Sequence, residues 1–250
     1  MTTIKIFTFV LLSLCTLTLS AKDYKASVFG VKSDGITLNS RSIQKAVDFI
    51  SENGGGSLVF YVGRYLTGSI HLKSNVTIRL EEGAVLVGVP SAYDYSGVNG
   101  TKALICADSL ENIGIGGKGV IEGQGAAVLE QINAQIKKGY LKETVAQASP
   151  MLIAMNQCSN INIEQVNLMN ACGDVQSYSA CKNLNISKLA IQSTAVAGSK
   201  GVVLSGCDGV KLADLFFDTS GAELTIAGKS KNVSVVNSTN TKGKRIEAKN

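Results

Sequence analysis

Short runs of alternating apolar and polar residues dominate the second half of the chain. Ile161, Ile163, Val166 and Leu168 alternate with polar neighbours, and so do Leu184, Ile186, Leu189 and Ile191. A period of two places one apolar set on one face of a strand. The runs share an opening. Cys158-Ser-Asn-Ile-Asn-Ile recurs as Cys181-Lys-Asn-Leu-Asn-Ile, Cys207-Asp-Gly-Val-Lys-Leu and Ser230-Lys-Asn-Val-Ser-Val, at intervals of roughly 23 to 26 residues. Related openings stand at Ser74-Asn-Val-Thr-Ile and Glu111-Asn-Ile-Gly-Ile. A unit this short cannot bury its apolar face alone, so each must stack on its neighbours. The pattern predicts an all-β solenoid, a coil of short strands joined by Asn and Gly turns. Equivalent residues then lie one above another, about 4.8 Å apart.

Two stretches break the strand rhythm. In Ser40 to Glu52, residues Ile43, Ala46, Val47 and Ile50 fall at helical spacing, with Asn39 or Ser40 as N-cap and Asn53-Gly-Gly-Gly at the end. A helix there would cap the first coil. The stretch 126–148 carries Leu129, Ile132, Ile136 and Val145 and is expected to leave the coil as a helical excursion before Pro150. The first 20 residues stand apart: Lys5 precedes an apolar run from Ile6 to Leu19, followed by the small residues Ser20 and Ala21. This is the pattern of a cleaved signal peptide, which predicts a secreted or periplasmic protein and one domain over 21–250. No later run is apolar enough to span a bilayer.

Composition agrees with a full core. Hydrophobic residues make up 45% and charged residues 17% of the 250, with 26 Gly, 2 Pro and no Trp. The net charge is +5, and about +4 once Lys5 is removed with the leader. There is no basic helix or aromatic-interleaved basic stripe, so nucleic acid is not an expected partner. Five cysteines remain after the leader, without the close pairs of a zinc site. Cys158, Cys181 and Cys207 hold equivalent repeat positions and are expected to stack as buried, reduced thiols. No metal or cofactor is expected, and the chain is expected to be a monomer.

Specific motifs carry a family resemblance over about residues 27 to 125. They are Ser27-Val-Phe-Gly-Val-Lys-Ser-Asp-Gly-Ile-Thr-Leu-Asn, Gly54-Gly-Gly-Ser-Leu-Val, Gly63-Arg-Tyr-Leu-Thr-Gly-Ser-Ile-His, Glu81-Glu-Gly-Ala-Val-Leu-Val-Gly and Gly119-Val-Ile-Glu-Gly-Gln-Gly. They resemble the N-terminal part of the polygalacturonase-like glycoside hydrolases of family 28. From Pro150 onward the likeness is the coil rhythm. The resemblance implies a single-stranded, right-handed parallel β-helix with a cleft along it, and pectic polysaccharide or oligosaccharide as partner. Gly83, Gly123 and Gly125 are expected at turns with positive φ. Asn75, Asn112, Asn160, Asn183 and Asn232 are expected to hydrogen-bond along the coil.

The family's inverting chemistry needs one carboxylic acid and one carboxylate on opposite sides of the scissile bond. The resemblance implies where they should stand. Carried over by repeat register, the Asn-Thr-Asp-Gly-Ile element falls on Gly198-Ser199-Lys200-Gly201-Val202, and the Asp-Asp pair on Gly221-Ala222. The Gly-His-Gly element falls near Gly243-Lys244-Arg245, and Arg-Ile-Lys on Arg245-Ile246-Glu247. The expected acids are therefore replaced by Lys200, Gly221 and Ala222. Glu223 becomes a substitute only if the strand slips by one residue, which would turn Leu224 and Ile226 to the wrong face. Asp174, Asp208, Asp214 and Asp218 are expected as solvated turn residues, and the lone His71 as structural. Lys200, Lys244 and Arg245 are the candidate contacts for a uronate. Three readings stay open: a non-catalytic relative that binds pectic sugar, an active hydrolase with relocated acids, and a structural remnant.

Overall fold

The computed structural model describes residues 22–248, so the leader predicted for residues 1–20 lies outside them. They wind into a right-handed parallel β-helix with three parallel sheets of eight, seven and seven strands among the described residues. One turn illustrates the path. Ser159–Glu164 lies in the first sheet, Asn167–Met169 in the second and Gln176–Ser179 in the third, and Lys182–Ser187 then returns to the first sheet beside Ser159–Glu164. Register is strict: Ile161 pairs with Leu184, Leu184 with Val210 and Val210 with Val233. The alternation read from the sequence therefore becomes vertical columns, and Ile161, Ile163, Leu184 and Ile186 are buried inside the coil. Burying one such side chain stabilises the fold by roughly 1.5–3 kcal/mol.

The three corners differ. From third sheet to first, the middle coils turn through two residues. One takes left-handed φ (Gln157 +52°, Ala180 +51°, Gly206 +64°) and the next is buried (Cys158, Cys181, Cys207). From first sheet to second, Gln165, Lys188, Asp214 and Asn237 take left-handed φ, each followed by a buried Val166, Leu189, Leu215 or Ser238. From second sheet to third, the corner grows from a two-residue link after Thr67 to the long excursion between Glu122 and Met151.

The asparagine ladder forms inside the first sheet. Asn75, Asn112, Asn160, Asn183 and Asn232 all take φ between about +50° and +63°. The Nδ2 of Asn112, Asn160 and Asn183 each donates to the Oδ1 one coil below, at 2.9, 3.0 and 3.1 Å. Gly209 interrupts the ladder, and Asn232 donates to Asp208 instead, at 2.7 Å. The three repeat cysteines are buried and free, as are Cys106 and Cys172. Hydrogen bonds with the Cys158 and Cys207 thiols, together with burial, hold the Cys181 thiol protonated, well above the usual thiol range.

Several expectations need correction. Of the three glycines, only Gly83 has positive φ (+80°); the left-handed residue between the other two is Gln124 (+51°). Gly123 and Gly125 are needed for closeness instead, because a Cβ at Gly123 would lie 2.6 Å from the Asn170 carbonyl and one at Gly125 would strike that of Ala171. The helical excursion expected before Pro150 is present and consists of two helices. The first α-helix, α1 (Ser40–Glu52), buries Ile43, Ala46, Val47 and Ile50 against the first coil. The excursion forms α2 (Gly125–Lys137) and the short α3 (Val145–Ala148), with Gly139 at φ +75° between them. A capping box starts α3: Thr144 Oγ1 accepts from Gln147 N, and Gln147 Oε1 from Thr144 N. Asn39 occupies the N-cap position of α1 but makes no cap bond, because its buried amide is used to accept from Lys32 N and donate to Lys32 O. No helix among the described residues is long and apolar enough to cross a membrane.

Candidate functional site

Every predicted site residue falls on the corner from second sheet to third, or on the segment beyond the last strand of the second sheet. Gln176 pairs with Val202 and Val202 with Leu224. Main-chain bonds carry this register back into the corner: Val175 N donates to Lys200 O at 2.7 Å and Gly201 N to Ala222 O at 2.9 Å. Asp174, Lys200 and Ala222 thus form one column, and Gly201 lies beside Glu223. The strand does not slip. Leu224 and Ile226 pack inward against the core, as the unshifted register requires.

Asp174 is not the solvated turn residue expected from the sequence. Its side chain is 19% exposed, its Oδ2 lies 3.6 Å from Lys200 Nζ and its Oδ1 accepts from Lys200 N at 3.0 Å. The carboxylate therefore fixes the backbone of the next coil and balances the lysine above it. Ser199 completes the turn from inside: its buried Oγ donates to Gly173 O at 2.8 Å, and Ser193 Oγ lies 3.0 Å from it. The Lys200 ammonium remains 42% exposed but already has an anionic neighbour.

Glu223, Lys244 and Arg245 converge. With Leu224, Ile226 and Glu247 they line a hollow of about 260 Å³ near the last coil. A reversal brings Lys244 and Arg245 there: Gly243 turns the chain at φ +71°, Asn240 N donates to Lys244 O at 3.1 Å and Ile246 N to Ser238 O at 2.9 Å. Glu223 Oε1 accepts from Asn240 Nδ2 at 2.6 Å. That bond, helped by the nearby Lys244 and Lys242 charges, holds the Glu223 carboxyl below the usual range. A general acid needs the opposite shift. His71 lies far back in the third sheet, where its Nε2 is 2.7 Å from Ser96 Oγ and its main chain is paired with the Gln44 amide.

The sequence reading missed a second hollow, of about 500 Å³, on the same corner and nearer the N-terminus. Leu129 of α2, Val145 of α3, Met151, Cys172, Asp174 and Val196 line it. A signal was available. Ala195-Val196-Ala197 is an apolar run in a corner otherwise built from Thr, Gly, Ser and Lys200, and Val145 stands just inside a capping box. The two hollows divide the corner into an apolar end and a basic end.

Comparison with known proteins agrees with this geometry. The profile of glycosyl hydrolases family 28 matches residues 58–246. A crystal structure of a Parabacteroides merdae protein, provisionally described as a glycosyl hydrolase, is 50% identical with a TM-score of 0.86, covering 92% of this chain and 100% of that one. The family 28 exopolygalacturonase of Yersinia enterocolitica superposes with a TM-score of 0.76 at 19% identity, over 88% of this chain and 49% of that one. An exo-poly-alpha-D-galacturonosidase of Dickeya chrysanthemi is 35% identical over 127 residues, which is 44% of this chain and 21% of that protein. The chain spans less than half the length of the curated relatives it matches. The chain belongs to glycosyl hydrolases family 28.

Proposed function

We propose that this protein is exported and binds acidic pectic polysaccharide along the corner between its second and third sheets, without hydrolysing it by the two-carboxylate route of its family. One observation carries the reading: the column where the family acids would stand contains Asp174, Lys200 and Ala222, with Asp174 committed to Lys200. Inverting hydrolysis needs two free carboxyl groups ~6.5–9.5 Å apart, one of them protonated. Glu223 is the nearest substitute in sequence, but its depressed pKa suits an anion that orders Asn240 and the Lys244 loop rather than a proton donor. Lys244 and Arg245 offer cations to uronate carboxylates, whereas Lys200 is already paired with Asp174, and the positive net charge favours approach of a polyanion.

Two measurements on one preparation test this. Calorimetric titration with galacturonate oligosaccharides should give saturable heat with a defined stoichiometry. Incubation with polygalacturonate and with rhamnogalacturonan should release no reducing sugar above blank. Release of sugar that is lost in Glu223→Gln would overturn the reading in favour of relocated acids. Silence in the calorimeter would remove the binding claim.

A further inference from the structure

We propose that the 500 Å³ hollow between α2, α3 and the corner at Val196 receives the methyl group of an uncharged pectic sugar unit, while the basic end holds an ionised uronate of the same chain. The proposal deepens the binding function above and rests on it. Its chemistry comes from the lining. Leu129, Val145, Met151 and Val196 present carbon, and Asp174 is the one charged side chain among the lining residues. A free uronate carboxylate placed here would lose water against apolar walls and face Asp174 with like charge. The nearest cation on this column, Lys200, is already paired with Asp174.

A methyl-bearing unit meets none of these costs. A methyl ester removes the uronate charge and adds a carbon group, and a 6-deoxyhexose has a methyl group where the uronate has its carboxylate. Either gains from the apolar walls, and its ring hydroxyls can use the polar rim at Ser149 and Ser199. The volume lies within the usual range for a small-ligand site, about 300–1,000 Å³. The hollow at Glu223, Lys244 and Arg245 lies further along the same corner, with successive coils about 4.8 Å apart. An extended polysaccharide lying on this corner would meet carbon at one end and positive charge at the other.

The test is calorimetry on the intact protein with three oligosaccharides of equal length: unesterified galacturonate, methyl-esterified galacturonate, and alternating galacturonate and 6-deoxyhexose. At least one methyl-bearing ligand should bind about fourfold or more tightly than the unesterified one, the gain expected from one buried methyl group. Which ligand gains identifies the source of the methyl. Val145→Asn and, on the facing element, Val196→Asn should each bring that affinity ratio to about one. Val145 is 37% exposed and Val196 is partly exposed, so the folded coil tolerates the change. Equal affinities for all three ligands, or a gain that survives both substitutions, would overturn this inference and leave acidic-ligand binding standing. No heat with any ligand would overturn both.

Discussion

The short corners and the long corner of this coil face the same problem, turning a chain between stacked sheets, and they solve it with different chemistry. From Gln157 onward most short corners use one left-handed residue followed by one buried residue, and repeat that solution from coil to coil. The long corner has no fixed solution. It carries two helices, the Asp174–Lys200 pair and both hollows. Repetition lets each short corner brace the next, whereas the long corner is free to vary without disturbing the columns. Stability should therefore reside mainly in the former, and recognition in the latter.

The largest expected effect tests that division directly. Ile186 is fully buried between columns of the first sheet. Ile186→Ala should lower unfolding stability by about 2–5 kcal/mol in a denaturant titration. Val196→Ala, an apolar truncation on the long corner, should stay within about 0.5 kcal/mol. Comparable losses at the two sites would end the division.

The asparagine ladder is next. Asn160 holds φ +53°, donates to Asn112 and accepts from Asn183. Asn160→Ala keeps the unfavourable dihedral, at roughly 1–2 kcal/mol for an ordinary residue, and loses both amide bonds, so a total loss of about 1–3 kcal/mol is expected. Asn160→Gly relieves the dihedral and should cost less. A larger loss for the glycine variant would mean that backbone entropy, not left-handed strain, dominates the ladder.

What was legible in the sequence follows the same boundary. Strand alternation, the Asn positions and the cysteine stack were readable because each residue meets its equivalent one coil away, so sequence spacing translates directly into contact; α1 was readable because Ile43, Ala46, Val47 and Ile50 fall at helical spacing. The register that puts Lys200 beside Ala222 was readable for the same reason. Gly123 and Gly125 were misjudged because their constraint comes from the carbonyls of Asn170 and Ala171, on the coil above. Asp174 was misjudged because its partner is the main chain of Lys200, which no side-chain pattern reports. The apolar hollow was missed because its walls come from three separate excursions with no common period.

The basic end of the long corner should matter for binding and little for folding. Lys244→Ala combined with Arg245→Ala is expected to weaken binding of unesterified galacturonate oligosaccharide by about fivefold, near 1 kcal/mol for exposed charge contacts. Titrations at rising salt should show the wild-type advantage shrinking. The thermal midpoint should barely move. An unchanged affinity would relocate the uronate site. A smaller effect is expected at Gly209, which sits in the ladder at φ +72°, where an added Cβ would lie 3.2 Å from Asn183 Oδ1. Gly209→Asn tolerates that dihedral, restrains the unfolded chain and adds an amide donor where the ladder is broken. A gain of about 0.5 kcal/mol is expected, and a loss would show that the close approach outweighs the added bond.

The smallest effect bears most directly on chemistry. Asn240 Nδ2, with Lys244 and Lys242 behind it, stabilises the ionised form of Glu223, so its folded pKa lies below the 4.5 of an unperturbed glutamate. A depressed folded pKa gives stability that is fully present above the unfolded value and is lost as pH falls through the folded one. Glu223→Gln removes that contribution. The difference in thermal midpoint between wild type and variant should therefore be small and flat from neutral pH down to about 5, and should close below about 4.5. A family acid able to protonate a leaving oxygen would behave oppositely: its pKa would be raised, and the difference curve would bend near neutral pH. A bend there would restore Glu223 as a proton donor and bring the long corner back from recognition to catalysis, whereas closure on the acid side would leave it a fixed anion that orders the Lys244 loop.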